Sequence, residues 1–231
     1  MPILGLRVGV IIPALNEELA LPHVLRDLPP GVDEVVVVDN GSTDNTAAVA
    51  RAAGARVVYE PQRGYGAACQ RGLAELSPCD VVVFLDGDYS DYPQEMPRLV
   101  QPIAQDRADL VIGSRTRGRC LRGALTIQQR IGNALASAWL RLVWNQRVSD
   151  LGPFRAIRRD CLQSLGLRDR DYGWTVEMQI AAARHGLRVV EVPVSYRPRL
   201  GQSKISGTLR GSLAAGAKIL YTLGRYTFFP A

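Results

Sequence analysis

A chain of 231 residues, 47% hydrophobic and 22% charged, is long enough for one sizeable core and too apolar to remain disordered. Its net charge of +6 favours acidic partners: nucleic acid, anionic lipid heads or phosphorylated small molecules. Four cysteines without a C-x-x-C pair or zinc spacing argue against a disulfide framework or zinc site and read as free thiols in a reducing compartment.

RVGVIIP (7–13) is an apolar, β-branched run and the first predicted strand. EELALPHVLRDL (17–28) reads as a helix with Leu21, Val24, Leu25 and Leu28 on one side. A second strand, EVVVVD (34–39), precedes a helix over 43–54, with Thr43 or Asp44 as N-cap and Gly54 as its stop. RVVYE (56–60) is a strand, GYGAACQRGLAEL (64–76) a helix, and DVVVFLD (80–86) and DLVIGS (109–114) are strands. Helices follow over 126–144 and 173–186. A strand then helix is read in 152–165, a strand over 187–198, and a helical tail over 206–226. In that tail Leu209, Leu213, Leu220 and Leu223 share one side, a candidate surface for peripheral membrane contact or for packing.

Strands this apolar are covered on both faces, and their alternation with helices implies an α/β, Rossmann-like fold with a mostly parallel central sheet and flanking helices. Ligands of such sheets sit beyond the carboxyl ends of the strands, where Asp39 and Asp86 fall. No run reaches the roughly 18 apolar residues of a membrane span. The N-terminus, broken by Arg7, does not read as a secretory leader. The expectation is a cytoplasmic protein, with any membrane contact peripheral to the inner face.

LDGD (85–88) places Asp86 and Asp88 two residues apart, on one face of an extended segment, with Gly87 leaving room between them. Two facing carboxylates repel unless a cation lies between them, and hard ions such as Mg²⁺ or Mn²⁺ suit them. The same residues also suit a turn. Asp39 can accept hydrogen bonds from a base or ribose, or shape its βα turn. In RGYGAA (63–68), Gly64 and Gly66 could let backbone approach a ligand. There is no P-loop lysine and no G-x-G-x-x-G spacing, so neither a classical ATP site nor an NAD site is supported.

Taken in order, PALNEE (13–18), DNGSTD (39–44) and D-G-D resemble the nucleotide-sugar half of glycosyltransferase family 2, the GT-A fold. DLVIGSR (109–115), QQRIGN (128–133), DLGPFRAI (150–157), GWTVEMQ (173–179) and VPVSYRPRLGQSKISGT (192–208) resemble more narrowly its dolichyl- or polyprenyl-phosphate mannose or glucose synthase branch. The resemblance implies a single GT-A domain over 1–231. Its nucleotide-sugar half would span 1–115, its acceptor half 116–205, and a C-terminal amphipathic helix 206–231. It implies that Pro13, Ala14, Asn16, Glu17 and Asp39 hold base and ribose of a UDP- or GDP-hexose. Asp86 and Asp88 would hold the metal, with Ser90 or Asp91 at a further ligand position. Arg115, Arg130, Arg199 and Lys204 match phosphate-facing positions, with Arg197 a rival to Arg199. Glu177 would act as a base or orient the donor.

The activity so implied is inverting, metal-dependent transfer of a hexose to a polyprenyl or dolichyl phosphate. Nucleic acid is not an implied partner. Alternatives are a hydroxyl acceptor, a sugar nucleotidyltransferase, or a noncatalytic membrane-surface module. Trp174 reads either as packing or as an acceptor contact.

Overall fold

The structure, a computed structural model, describes residues 2–201 and 209–228. Seven strands, β1 (Val8–Ala14), β2 (Glu34–Asp39), β3 (Arg56–Tyr59), β4 (Val81–Phe84), β5 (Leu110–Ser114), β6 (Arg155–Arg158) and β7 (Val189–Pro193), form one sheet in the order β3-β2-β1-β4-β6-β5-β7. Helices α1 (Leu21–Arg26), α2 (Thr46–Ala52) and α4 (Met96–Ala104) cover one face. Helices α3 (Tyr65–Glu75), α5 (Ile127–Trp144), α6 (Arg159–Ser164), α7 (Trp174–Arg184) and α8 (Leu209–Phe228) belong to the other.

The strand side chains alternate between these layers. Val10, Ile12, Val81 and Val83 pack with Leu21, Val24, Leu99 and Ile103, whereas Ile11, Val36, Val82 and Phe84 pack with Ala68, Leu140, Val176 and Leu223. Continuous apolar runs are therefore buried on both sides, as predicted. β1 pairs in parallel with β2 and β4, so the chain turns out of all three at one end, and the sheet order reverses there.

β6 departs from the parallel expectation, lying antiparallel to β4 and β5. Asp150 pairs with Arg115 just beyond the end of β5, so the strand that follows has to run back from that end. Helix α4 was not anticipated. Its buried residues, Met96, Leu99, Val100 and Ile103, have helical spacing, but Pro93, Pro97 and Pro102 obscure it.

Helix α1 begins at Leu21 rather than 17, because residues 15–20 form the turn that leaves β1. Helix α2 begins at Thr46 with Asn45 as N-cap, rather than Thr43 or Asp44, and Asp44 instead accepts from the Thr46 amide at 3.0 Å. On α8, Leu223 is buried and Leu220 exposed, so these two leucines do not share one environment; the side chains of Leu209 and Leu213 lie outside the described residues. Trp174 is core, 2% exposed and edge-on to Phe84.

Gly64 and Gly66 admit protein backbone. A Cβ on Gly66 would stand 2.2 Å from the Asp169 carbonyl oxygen, and one on Gly64, at φ +141°, would stand 2.1 Å from that of Arg170. The Ala67 amide donates to the same Arg170 carbonyl at 2.8 Å. Gly66→Ala is therefore expected to destabilise the fold by about 2 kcal/mol or more, read as a lowered denaturation midpoint. An unchanged midpoint would contradict this packing.

Candidate active site

A cavity of about 460 Å³ opens at the ends of β1, β2 and β4. Pro13, Ala14, Asp86 and Gly87 line it from the strand ends, Asn16, Glu17 and Asn40 from the first two loops, and Gly64 and Tyr65 from the start of α3. The polar residues of these loops knit them together. Asn16, at φ 54°, does not cap a helix. Its Oδ1 accepts from the Thr43 amide at 2.7 Å, and its own amide donates to Ser42 Oγ at 2.9 Å. Asp39 accepts from the Ser42 amide at 2.8 Å and stands one residue behind Asn40. Asn40 donates to the Glu60 and Gln62 carbonyls and accepts from the Gly64 amide.

The acidic loop follows β4. Burial, and then the neighbouring Asp88 carboxylate, push the Asp86 carboxyl up to about 7. Asp88 Oδ1 accepts from the Ser90 amide at 2.9 Å and from the Ser90 hydroxyl, so Ser90 is engaged in orienting Asp88. Asp91 is 1% exposed, and neither carboxylate oxygen has a hydrogen-bond partner among the described residues. Burial, followed by the charges of Asp86 and Asp88, raises its pKa well above the usual carboxylate range.

The loop is clamped by Arg197, which donates to the Tyr89 carbonyl at 2.6 Å and the Asp91 carbonyl at 3.2 Å. Its guanidinium lies 3.3 Å from the Tyr89 ring centre and 4.1 Å from that of Tyr92. Arg199, two residues on, lines the cavity instead. It bonds Glu17 and reaches Asp88 Oδ2 at 3.3 Å. Arg197 thus holds the loop, and Arg199 faces the cavity.

Arg115 is held by Asp150 through Nε (3.0 Å), Nη2 (2.6 Å) and its backbone amide (2.7 Å). Burial opposes its charge, but the Asp150 carboxylate outweighs burial and raises its pKa. Arg155, 1% exposed, donates to the Leu151, Gly152 and Thr175 carbonyls and so fixes the turn after Asp150. Burial lowers its pKa to about 10.

Arg130 is exposed on α5 and does not line the cavity, and Lys204 lies outside the described residues. Glu177, 2% exposed, is also absent from the cavity wall. It accepts from the Arg168 amide at 3.1 Å, from the Asp169 amide at 2.7 Å, and from the Tyr226 hydroxyl.

Several lining residues escape a reading by motif. Arg63, which donates to the Gly41 carbonyl at 2.8 Å, lines the cavity, as do Asp171 and Tyr172. Burial, and then Asp169, raise the Asp171 carboxyl. The close approach of 169–171 to Gly64 and Gly66 brings these residues in. The glycine pair is thus the one trace of them in the sequence.

The family model for glycosyl transferase family 2 matches residues 9–166. An uncharacterized glycosyltransferase of Mycobacterium tuberculosis is 44% identical over 213 residues, covering 91% of this chain and 95% of the relative. The undecaprenyl-phosphate mannosyltransferase of Micrococcus luteus is 36% identical over 222 residues, covering 89% and 90%. Among solved structures, glucosyl-3-phosphoglycerate synthase from Mycobacterium tuberculosis, in complex with Mn²⁺, UDP and phosphoglyceric acid, superposes with a TM-score of 0.80. Its sequence identity is 28%, over 98% of this chain and 80% of that one.

Proposed function

Because the chain belongs to glycosyl transferase family 2, we propose that it transfers a hexose from a nucleoside diphosphate sugar to a polyprenyl phosphate. The observation that carries this reading is the convergence of Asp86, Asp88 and Arg199 on one cavity at the sheet's switch point. The excess of acid there fits a divalent cation. Asp86 is held up by burial and by Asp88, and Asp91 is buried behind them without a hydrogen-bond partner among the described residues. Asp86 and Asp88 would hold Mg²⁺ or Mn²⁺. An ion held by two carboxylates would complete its shell with phosphate and water. When bound, it would neutralise charge on the departing diphosphate.

The protein's own groups do the positioning. Pro13, Ala14 and Asn40 would border the base and ribose, and Arg199 would turn from Asp88 and Glu17 to the diphosphate oxygens. A phosphate acceptor needs no base of its own, because it is already ionised near neutral pH. Glu177, engaged with three donors, agrees with that.

A thermal-shift panel of UDP- and GDP-sugars, with and without Mn²⁺, tests the donor half. Metal-dependent stabilisation by a nucleotide sugar is expected, and none from any donor would sink it. Radiolabelled donor with undecaprenyl phosphate tests the acceptor half. Arg199→Ala should raise the donor KM about tenfold or more, the loss of one charge-assisted contact. An unchanged KM would place Arg199 outside donor binding.

One observation favours a second reading. Asp171 lines the cavity with its carboxyl raised, as a base for a hydroxyl acceptor would be. Transfer to phosphoglyceric acid rather than to the lipid phosphate, lost in Asp171→Asn, would select it.

A further inference from the structure

We infer that the face built by α5 and α8 docks onto an anionic lipid surface. The inference lies outside the cavity and does not rest on the acceptor proposed above. Residues 110–149 and 192–231 carry thirteen basic and no acidic residues, while the rest of the chain holds fifteen basic against all twenty-two acidic ones. These two acid-free stretches supply α5 and α8, which pack together with Trp139 Nε1 donating to Thr227 Oγ1 at 3.1 Å.

Eight of the twelve exposed large apolar side chains among the described residues lie on these two helices. On α5, Ile127, Ile131, Leu135 and Leu142 are 73%, 56%, 55% and 87% exposed. At 100° per residue they fall within an arc of about 80°. Ala134 and Ala138 lie in or beside that arc and are also exposed, and Arg141 borders it. The inner side of the same helix buries Ala136, Ser137 and Leu140. On α8, Leu220, Tyr221 and Phe228 are exposed, with Arg225 among them.

An apolar stripe edged by arginine on a helix without acids is the pattern of an interfacial helix, its apolar side in the acyl boundary and its cations at the head groups. No helix among the described residues is long and apolar enough to cross a membrane, so the contact is one of surface. A second copy of the chain fits this face less well. A symmetric contact would bring two acid-free, arginine-bearing faces together with no carboxylate from either helix to offset them.

Co-sedimentation of the full chain with phosphatidylcholine vesicles, with and without phosphatidylglycerol, tests the inference. Binding is expected to the anionic vesicles, to weaken as salt rises, and to fall several-fold in Leu142→Glu and in Arg141→Glu. Both variants should keep the wild-type melting temperature and the Mn²⁺-dependent thermal shift with donor, measured without vesicles. Three results would overturn it: equal or absent partition to both vesicle types, unchanged partition in the two variants, or a dimer in light scattering that Leu142→Glu dissociates. The donor thermal shift reads the cavity alone, so failure of vesicle binding and failure of the transferase reading are told apart.

Discussion

Asp88→Asn is expected to remove sugar transfer while leaving the protein folded and close to wild type in heat stability. The amide keeps Oδ1, which accepts from the Ser90 amide and hydroxyl, so the loop retains its local hydrogen bonds. It exchanges the negative oxygen facing Arg199 at 3.3 Å for an amide N–H₂ that cannot accept from the guanidinium, a loss of about 1 kcal/mol because Arg199 keeps its bond to Glu17. Against that loss, removing the charge relieves repulsion on Asp86, whose carboxyl is pushed up to about 7 by burial and by Asp88. The two effects oppose each other, and the melting temperature should move little.

Catalysis has no such compensation. If Asp86 and Asp88 hold the cation that neutralises the leaving diphosphate, losing one ligand charge should lower kcat by about a thousandfold, or about 4 kcal/mol of transition-state stabilisation. Turnover at saturating donor and Mn²⁺, beside a melting curve of the same sample, checks both halves. Activity within tenfold of wild type would remove the acid pair from the chemistry. A folded but inactive variant is the signature of a site that holds destabilising charge for function.

That charge was the most legible part of the molecule. A wholly apolar strand running into Asp86 and Asp88 makes sense where a ligand meets the sheet, and the parallel pairing of β1, β2 and β4 puts both acids there. The strands themselves were legible because burial on both faces demands unbroken apolar runs. The direction of β6 was not, because strand direction depends on where the preceding helix delivers the chain, here at the Asp150–Arg115 pair.

Gly64 and Gly66 show a different limit. Missing side chains announce a close approach without naming what approaches, and the neighbour is backbone more than a hundred residues away in sequence. Arg197 and Arg199 could not be ranked by spacing. Two residues apart, one stacks on Tyr89 and the other faces the cavity, because 195–200 threads beside the acidic loop, with the Arg197 amide on the Ser90 carbonyl and the Leu200 amide on that of Asp88.

Glu177 separates a structural carboxylate from a catalytic one, and its substitution carries the largest expected effect on stability. It is buried and takes donors from three places: the Arg168 amide, the Asp169 amide, and the Tyr226 hydroxyl on α8. Burial and then Glu177 push Tyr226 up to about 12, so the phenol remains a donor throughout the working range. Glu177→Ala would strand three donors and leave a buried hole, an expected loss of about 3–5 kcal/mol.

Glu177→Gln keeps the shape but turns an amide N–H₂ toward a donor it cannot satisfy, an expected loss of about 1–3 kcal/mol. The same loop carries Asp171 and Tyr172 to the cavity, so some turnover should go with it through positioning. In a sample shown to be folded, kcat of Glu177→Gln should stay within about tenfold of wild type if the acceptor is a phosphate, because that reaction routes no proton through this residue. Tyr226→Phe should lower stability in the same direction by a smaller amount, and its effect should shrink in the Glu177→Gln background, the coupling expected of two groups sharing one bond. A stable Glu177→Gln protein with no activity would reverse the assignment and make Glu177 the base that a hydroxyl acceptor requires.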